Sequence, residues 1–212
     1  MKTVPFRTGF IMGETMSQQI VEINCPGCGA RVSTGQSECE WCHQPIIIST
    51  FNSVYSMPMP AVNKYAGAYK KALAENPDNM ELNNSIAMCY LKLKLYDKAL
   101  PAFEKAMEDN FDNSETFFYA AICLLKGKKA FVTPRAEIDK IEEYINAALM
   151  IEPRGIYYYF QAYIKYDYFN RKYFKTSPTY QEALAMAQQA GYSPLDSEQL
   201  FAILGVEKPT GF

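Results

Sequence analysis

From about residue 61 nearly to the C-terminus, apolar residues recur at helical spacing with polar positions between them. The stretch 61–75 has room for one leading helix. A helix pair follows from Met80, its second member marked by Ala99, Phe103 and Ala106. The next unit opens at Ser114 with Phe117, Ala120, Ala121 and Leu124. Its inter-helix segment is longer, and a loop over 125–133 is expected to absorb the excess. Thr133 followed by Pro134 reads as an N-cap and first helical position, so the second helix runs from there to about Ile151. "GIYYYFQAYIKYDYFNRKYF" supplies an aromatic-rich helix. "SPTYQEALAMAQQAG" predicts another, with a Ser177 cap and a Gly191 stop, and "DSEQLFAIL" a short terminal one.

The pattern changes upstream of this region. "SVYSMPMP" reads as a proline-rich linker over 51–60, which separates a helical domain at 61–206 from a small unit at 22–50. Residues 1–21 have no clear periodicity and are expected to be disordered. Met1, Met12 and Met16 each qualify as a start, and Met16 is the expected one.

Sliding the chain along itself by 34 residues brings Tyr69 onto Phe103, Ala72 onto Ala106, Ala87 onto Ala121 and Cys89 onto Cys123. In the unit from Met80, Ile86, Ala87 and Tyr90 stand where a Leu-Gly-Tyr pattern is wanted, and Ala99, Phe103 and Ala106 follow on the second helix. With this period and these residues the chain resembles the tetratricopeptide repeat family. Phe111 stands where the closing proline is expected and Asn83 replaces the usual large aromatic, whereas Pro77 and Pro153 keep the pattern. The resemblance implies an all-α solenoid of about three helical hairpins, with a leading half-repeat and a terminal cap. It also implies a groove that takes a partner peptide or helix. By the family's habit, the first-helix residues facing that groove are Asn84 and Met88, then Phe118 and Ile122.

Composition narrows the function. A chain of 212 residues that is 49% hydrophobic has enough apolar material for one sizeable core and an appendage. A formal charge of −2 argues against a surface built for nucleic acid. The longest uncharged apolar run, "PIIISTF", is far too short to span a bilayer, and the N-terminus lacks a compact apolar signal region. A cytoplasmic protein without membrane association is expected.

The candidate chemistry lies in "CPGCGARVSTGQSECEWCH", two Cys-x-x-Cys pairs followed by the only histidine, His43. In a reducing compartment such thiols serve a metal more readily than a disulfide. Each pair offers two sulfurs from one tight turn, and Gly27 and Gly29 relieve the backbone of the first. Cys25, Cys28, Cys39 and Cys42 together form the tetrahedral thiolate set that suits structural Zn2+. The surrounding residues, Ile23, Val32, Trp41 and Ile46 to Ile48, are too few for an independent core, so metal has to hold the unit together. Cys25, Pro26, Cys28, Gly29 and Ala30 open it in a way that resembles a short bacterial-type zinc ribbon, a small β unit, although His43 stands where that pattern usually has glycine.

The same residues leave alternatives. "CEWCH" has the form of a c-type haem attachment site, with Cys39 and Cys42 bonding the vinyl groups and His43 as axial ligand. "CPGC" resembles a dithiol redox motif, and four thiolates also accept iron. A nucleic-acid-associated ribbon is a further possibility, against which Arg31 is its one basic residue, beside Glu22, Glu38 and Glu40. Cys89 and Cys123, at equivalent repeat positions, read as core. The tyrosine-rich helix reads as packing rather than a ligand cage, and "KGKKAF" as a solvated loop. No nucleophile, base and orienting group can be assembled. The expected function is a non-enzymatic adaptor that binds a protein or peptide.

Overall fold

In the computed structural model, residues 19–108 and 111–212 are described. The expected start site at Met16 and most of the segment expected to be disordered therefore lie outside the described residues. At its near edge order begins before residue 22. Asn79 donates its side-chain amide to the Gln19 carbonyl, and Val21 exchanges hydrogen bonds with Thr34.

Two short strands, β1 (Glu22–Asn24) and β2 (Arg31–Ser33), pair antiparallel with Ile23 opposite Val32. Both of those side chains are buried on one face, the period-two pattern of a half-buried ribbon. A single bridge between Glu38 and Pro45 closes the second turn. The helices follow: α1 (Phe51–Tyr55), α2 (Met59–Glu75), α3 (Met80–Lys92), α4 (Tyr96–Met107), α5 (Ser114–Leu124), α6 (Arg135–Ile151), α7 (Gly155–Ile164), α8 (Tyr180–Gln189) and α9 (Pro194–Leu204).

Helix starts repeat with the sequence period. Asn79 caps α3 by accepting from the Leu82 N–H, and Asn113, one repeat later, caps α5 by accepting from Glu115 and Thr116. Each cap satisfies donors that the first turn cannot bond internally. Helices then pack in sequence order as hairpins α3–α4, α5–α6 and α7–α8, with α2 leading and α9 closing the stack. The small residues Ala87, Ala99 and Ala121 are fully buried and let the axes approach, while Tyr69 and Phe103 fill the spaces between pairs. On α6 the buried stripe is Ile138, Ile141, Ile145 and Ala148, each isoleucine worth about 1.5–3 kcal/mol on burial. Asn83 tolerates the position of a large aromatic because its amide donates to the carbonyls of Pro77 and Asn79.

Four local expectations are corrected. The segment expected to be linker contains α1, with Phe51 and Val54 buried, because its apolar residues find a helical surface to cover. Helix α6 starts one residue later than expected: Thr133 does not cap it but donates its hydroxyl back to the Lys129 carbonyl. Within the expected loop, Ala130–Val132 form a 3-10 turn. The cap of α8 is Thr179, not Ser177, since only Thr179 lies three residues before Glu182 and completes a reciprocal capping box. Helix α7 passes into a π turn at Lys165–Phe169, where Asp167 is fully buried and accepts from the Phe131 N–H and from Arg171.

Candidate metal centre and repeat face

The two cysteine turns have the same backbone wiring. Cys25 N–H donates to the Ala30 carbonyl and Gly29 N–H to the Cys25 carbonyl; in the second turn Cys39 N–H donates to Gln44 and His43 N–H to Cys39. In each turn the residue after the second cysteine has a left-handed backbone, Gly29 at φ +88° and His43 at φ +55°. His43 thus occupies the glycine position of the pattern, with its side chain exposed. A Cβ on Gly27 would lie 3.0 Å from the Cys42 Sγ and 3.1 Å from the Gln44 side chain, so glycine there lets the second pair approach without displacing either.

All four sulfurs lie within 4.8 Å of one another. Cys25 Sγ is 3.6 Å from Cys42 Sγ, and Cys28 Sγ is 3.7 Å from Cys39 Sγ. A tetrahedral thiolate site with metal–sulfur bonds of about 2.3 Å has edges of about 3.8 Å, so the set fits a single metal ion. The four residues form a possible metal site, and both pairs contribute to it equally. The haem reading uses only Cys39, Cys42 and His43 and leaves the convergence of Cys25 and Cys28 without a role. Trp41 is 76% exposed and adds nothing to a ribbon core, and Ile46 and Ile48 are buried against helices instead.

The residues expected to line an open groove are buried. Asn84, Met88, Phe118 and Ile122 are 8%, 0%, 3% and 0% exposed. On α3 every residue from Leu82 to Cys89 is buried, so the helix is covered on the side facing its hairpin partner and on the opposite side as well. The cover comes from the chain itself. Tyr65 and Tyr69 of α2 donate their hydroxyls to the carbonyls of Pro45 and Ile46, at 3.0 and 2.8 Å. Ser85 of α3 bonds both the N–H and the carbonyl of Ile48. Lys92 donates to the Tyr55 carbonyl and lies over its ring, and Phe51 meets Tyr119 of α5 with ring centroids 5.2 Å apart. Phe118 packs on Tyr157 at 4.5 Å and edge-on to Phe160. Asn84 accepts from the Thr116 hydroxyl.

From the other end α9 packs on α5 and α7, and its Ile203 carbonyl accepts from the Tyr96 hydroxyl. Between α1 and α9 a cleft of about 280 Å³ remains, lined among others by Asn52, Phe118, Tyr119, Tyr157 and Gln199. Arg154 reaches one oxygen of Glu115 at 2.7 Å and also pairs with Glu152; the second oxygen of Glu115 is buried without a hydrogen-bond partner among the described residues. Of the four residues expected in the groove, only Phe118 lines this cleft. Glu115, Arg154 and Gln199 carried no signal in the sequence, because helices distant in the chain bring them together.

Residues 66–117 match the family model of the tetratricopeptide repeat. That stretch is a tetratricopeptide repeat segment. No curated protein matches the chain. Among solved structures, the chain is similar to MamA MSR-1, at 21% identity over 66% of this chain and 69% of that one, with a TM-score of 0.46. It is also similar to MamA AMB-1, at 18% identity over 70% and 84%, with a TM-score of 0.45.

Proposed function

We propose that the protein is a non-enzymatic protein-interaction adaptor, in which Cys25, Cys28, Cys39 and Cys42 hold one structural Zn2+ and the repeat face takes a partner peptide or helix. The observation that carries this reading is how the face holds residues 45–55. Three hydroxyls, from Tyr65, Tyr69 and Ser85, bond the main chain of that segment, while apolar side chains fill the spaces between. Bonds to main chain with apolar anchors are the chemistry of peptide recognition. The partner would enter at the remaining cleft, against Asn52, Tyr119 and Gln199, with Phe118 and Tyr157 forming its buried floor. The zinc would supply no reaction: four thiolates leave no open position, and its role is to fix the two turns. None of the six cysteines is in a disulfide, in keeping with a reducing, cytoplasmic setting, and no helix among the described residues is long and apolar enough to cross a membrane.

The test combines metal analysis with site-specific crosslinking. One zinc per chain is expected, absent from Cys39→Ser; iron in gently purified protein would overturn the metal assignment. A photo-crosslinker at Asn52 should capture a defined partner, and Gln199→Arg, which fills the cleft mouth, should abolish the capture. Capture that is indifferent to Gln199→Arg would remove the cleft from the function.

A further inference from the structure

The insertion between α5 and α6 and the chain leaving α7 are remote in sequence but meet on the surface. Ala130 N–H donates to the Tyr163 hydroxyl at 3.2 Å and Phe131 N–H to Asp167 at 2.8 Å. Asp167 also takes Arg171, whose guanidinium lies 4.4 Å from the Phe131 ring centroid. Lys172 bridges further, 5.1 Å from Phe131 and 3.7 Å from Tyr168, and Tyr168 touches Phe174 at 6.3 Å. The two segments, 126–134 and 168–176, contain no acidic residue. Lys128, Lys129, Lys172 and Lys175 have no ion-pair partner among the described residues. In a chain of net charge −2 this is a local concentration of positive charge.

The same two segments carry exposed apolar groups. Val132 is 65% exposed, Phe174 51% and Tyr173 94%. Tyr173 also holds a left-handed backbone, φ +60°, where a bulky side chain is unusual and an asparagine or glycine would be less strained. We propose that this patch docks the protein on an anionic lipid bilayer, with the lysines against phosphate headgroups and Val132, Tyr173 and Phe174 in the interfacial layer. The arrangement replaces both the expectation of no membrane association and the reading of "KGKKAF" as a solvated loop, because the fold brings a second basic segment with exposed apolar residues to it. A bilayer fits better than a nucleic acid. Arg171 and Lys172 cover Phe131 and Tyr168, so Tyr173 and Phe174 are the rings open to a base, whereas the exposed aliphatic Val132 adds nothing to base recognition and suits an interfacial layer. The contact is peripheral and independent of the repeat cleft.

The test is co-sedimentation of the full-length protein with lipid vesicles. Binding is expected to phosphatidylcholine vesicles containing about a third phosphatidylserine, and not to phosphatidylcholine alone, with loss as salt is raised to about 0.5 M. Lys128→Gln with Lys129→Gln should weaken it on the order of twentyfold, at roughly fivefold per lysine. Val132→Ser with Tyr173→Ser should weaken it several-fold while its salt dependence persists. All four positions are exposed, and circular dichroism checks that the variants fold. No sedimentation of the wild type, or equal sedimentation of the lysine variant, overturns the proposal. So does preferential binding of a single-stranded oligonucleotide over the anionic vesicles.

Discussion

Ser85 and Ile48 form a closed hydrogen-bonded pair inside the protein: the Ser85 hydroxyl accepts from the Ile48 N–H at 3.1 Å and donates to the Ile48 carbonyl at 3.2 Å. Both residues are fully buried. Through this pair the segment leaving the ribbon becomes part of the helical core. Replacing Ser85 by alanine strands two buried main-chain groups, each at a cost of about 1–3 kcal/mol. Ser85→Ala should therefore lower stability by about 2–4 kcal/mol in equilibrium urea unfolding. A loss well under 1 kcal/mol would mean that Ile48 does not sit on α3.

Phe118 gives a second test. Had it lined an open groove, its truncation would leave the melting temperature unchanged. Packed between Tyr119, Tyr157 and Phe160 and 3% exposed, it is core, and Phe118→Ala should cost about 3–5 kcal/mol. Thermal unfolding checks this directly. A melting point within a degree or two of the wild type would restore the open groove.

The six cysteines should separate into two classes by reactivity. Burial pushes Cys89 up to about 12 and Cys123 higher still, so both stay protonated thiols through neutral and mildly alkaline pH. The thiolate is the reactive form, and these two should remain inert to a thiol reagent until the helices unfold. With metal bound the other four should be slow as well. A strong chelator should then release four thiols, with far-UV helicity retained because residues 45–55 stay docked on α2 and α3. Titration of six thiols in folded, chelated protein would contradict the buried placement of Cys89 and Cys123.

The hairpin repeat and the four-cysteine cluster were legible in the sequence because each rests on spacing within a short stretch. Ala87 and Ala121 sit one period apart and are buried alike, and Cys25, Cys28, Cys39 and Cys42 need only two turns to meet. The capping asparagines, Asn79 and Asn113, carried the same period and would have sharpened the helix starts. The covered repeat face was not legible. Ile46 and Ile48 are buried and Ile47 half-buried, an alternation visible in the sequence as a short apolar run, but the run does not say which surface it covers. Family habit placed Met88 and Phe118 on the inner face; nothing local showed that residues 45–55 and α9 would lie over it.

Two glycines make opposite predictions and test the helix packing independently of the ribbon. Gly155 opens α7 where it crosses the end of α8. A Cβ there would stand 2.5 Å from the Tyr192 nitrogen, 2.8 Å from its Cα and 3.0 Å from the Ala187 carbonyl oxygen. All three are main-chain atoms, so nothing flexible can give way, and the hairpin has to open to admit a methyl group. Gly155→Ala should destabilise by about 1–3 kcal/mol or more, although alanine is the better helix former. Gly67 lies mid-helix in α2, exposed, with nothing within 4 Å of a Cβ. There only the backbone entropy term applies, and Gly67→Ala should stabilise by about 0.5–1 kcal/mol. Chemical unfolding of the two variants side by side settles the matter. If both stabilise the protein, α7 does not meet α8 this closely. If both destabilise it, α2 has a neighbour at Gly67 that the fold described above does not contain.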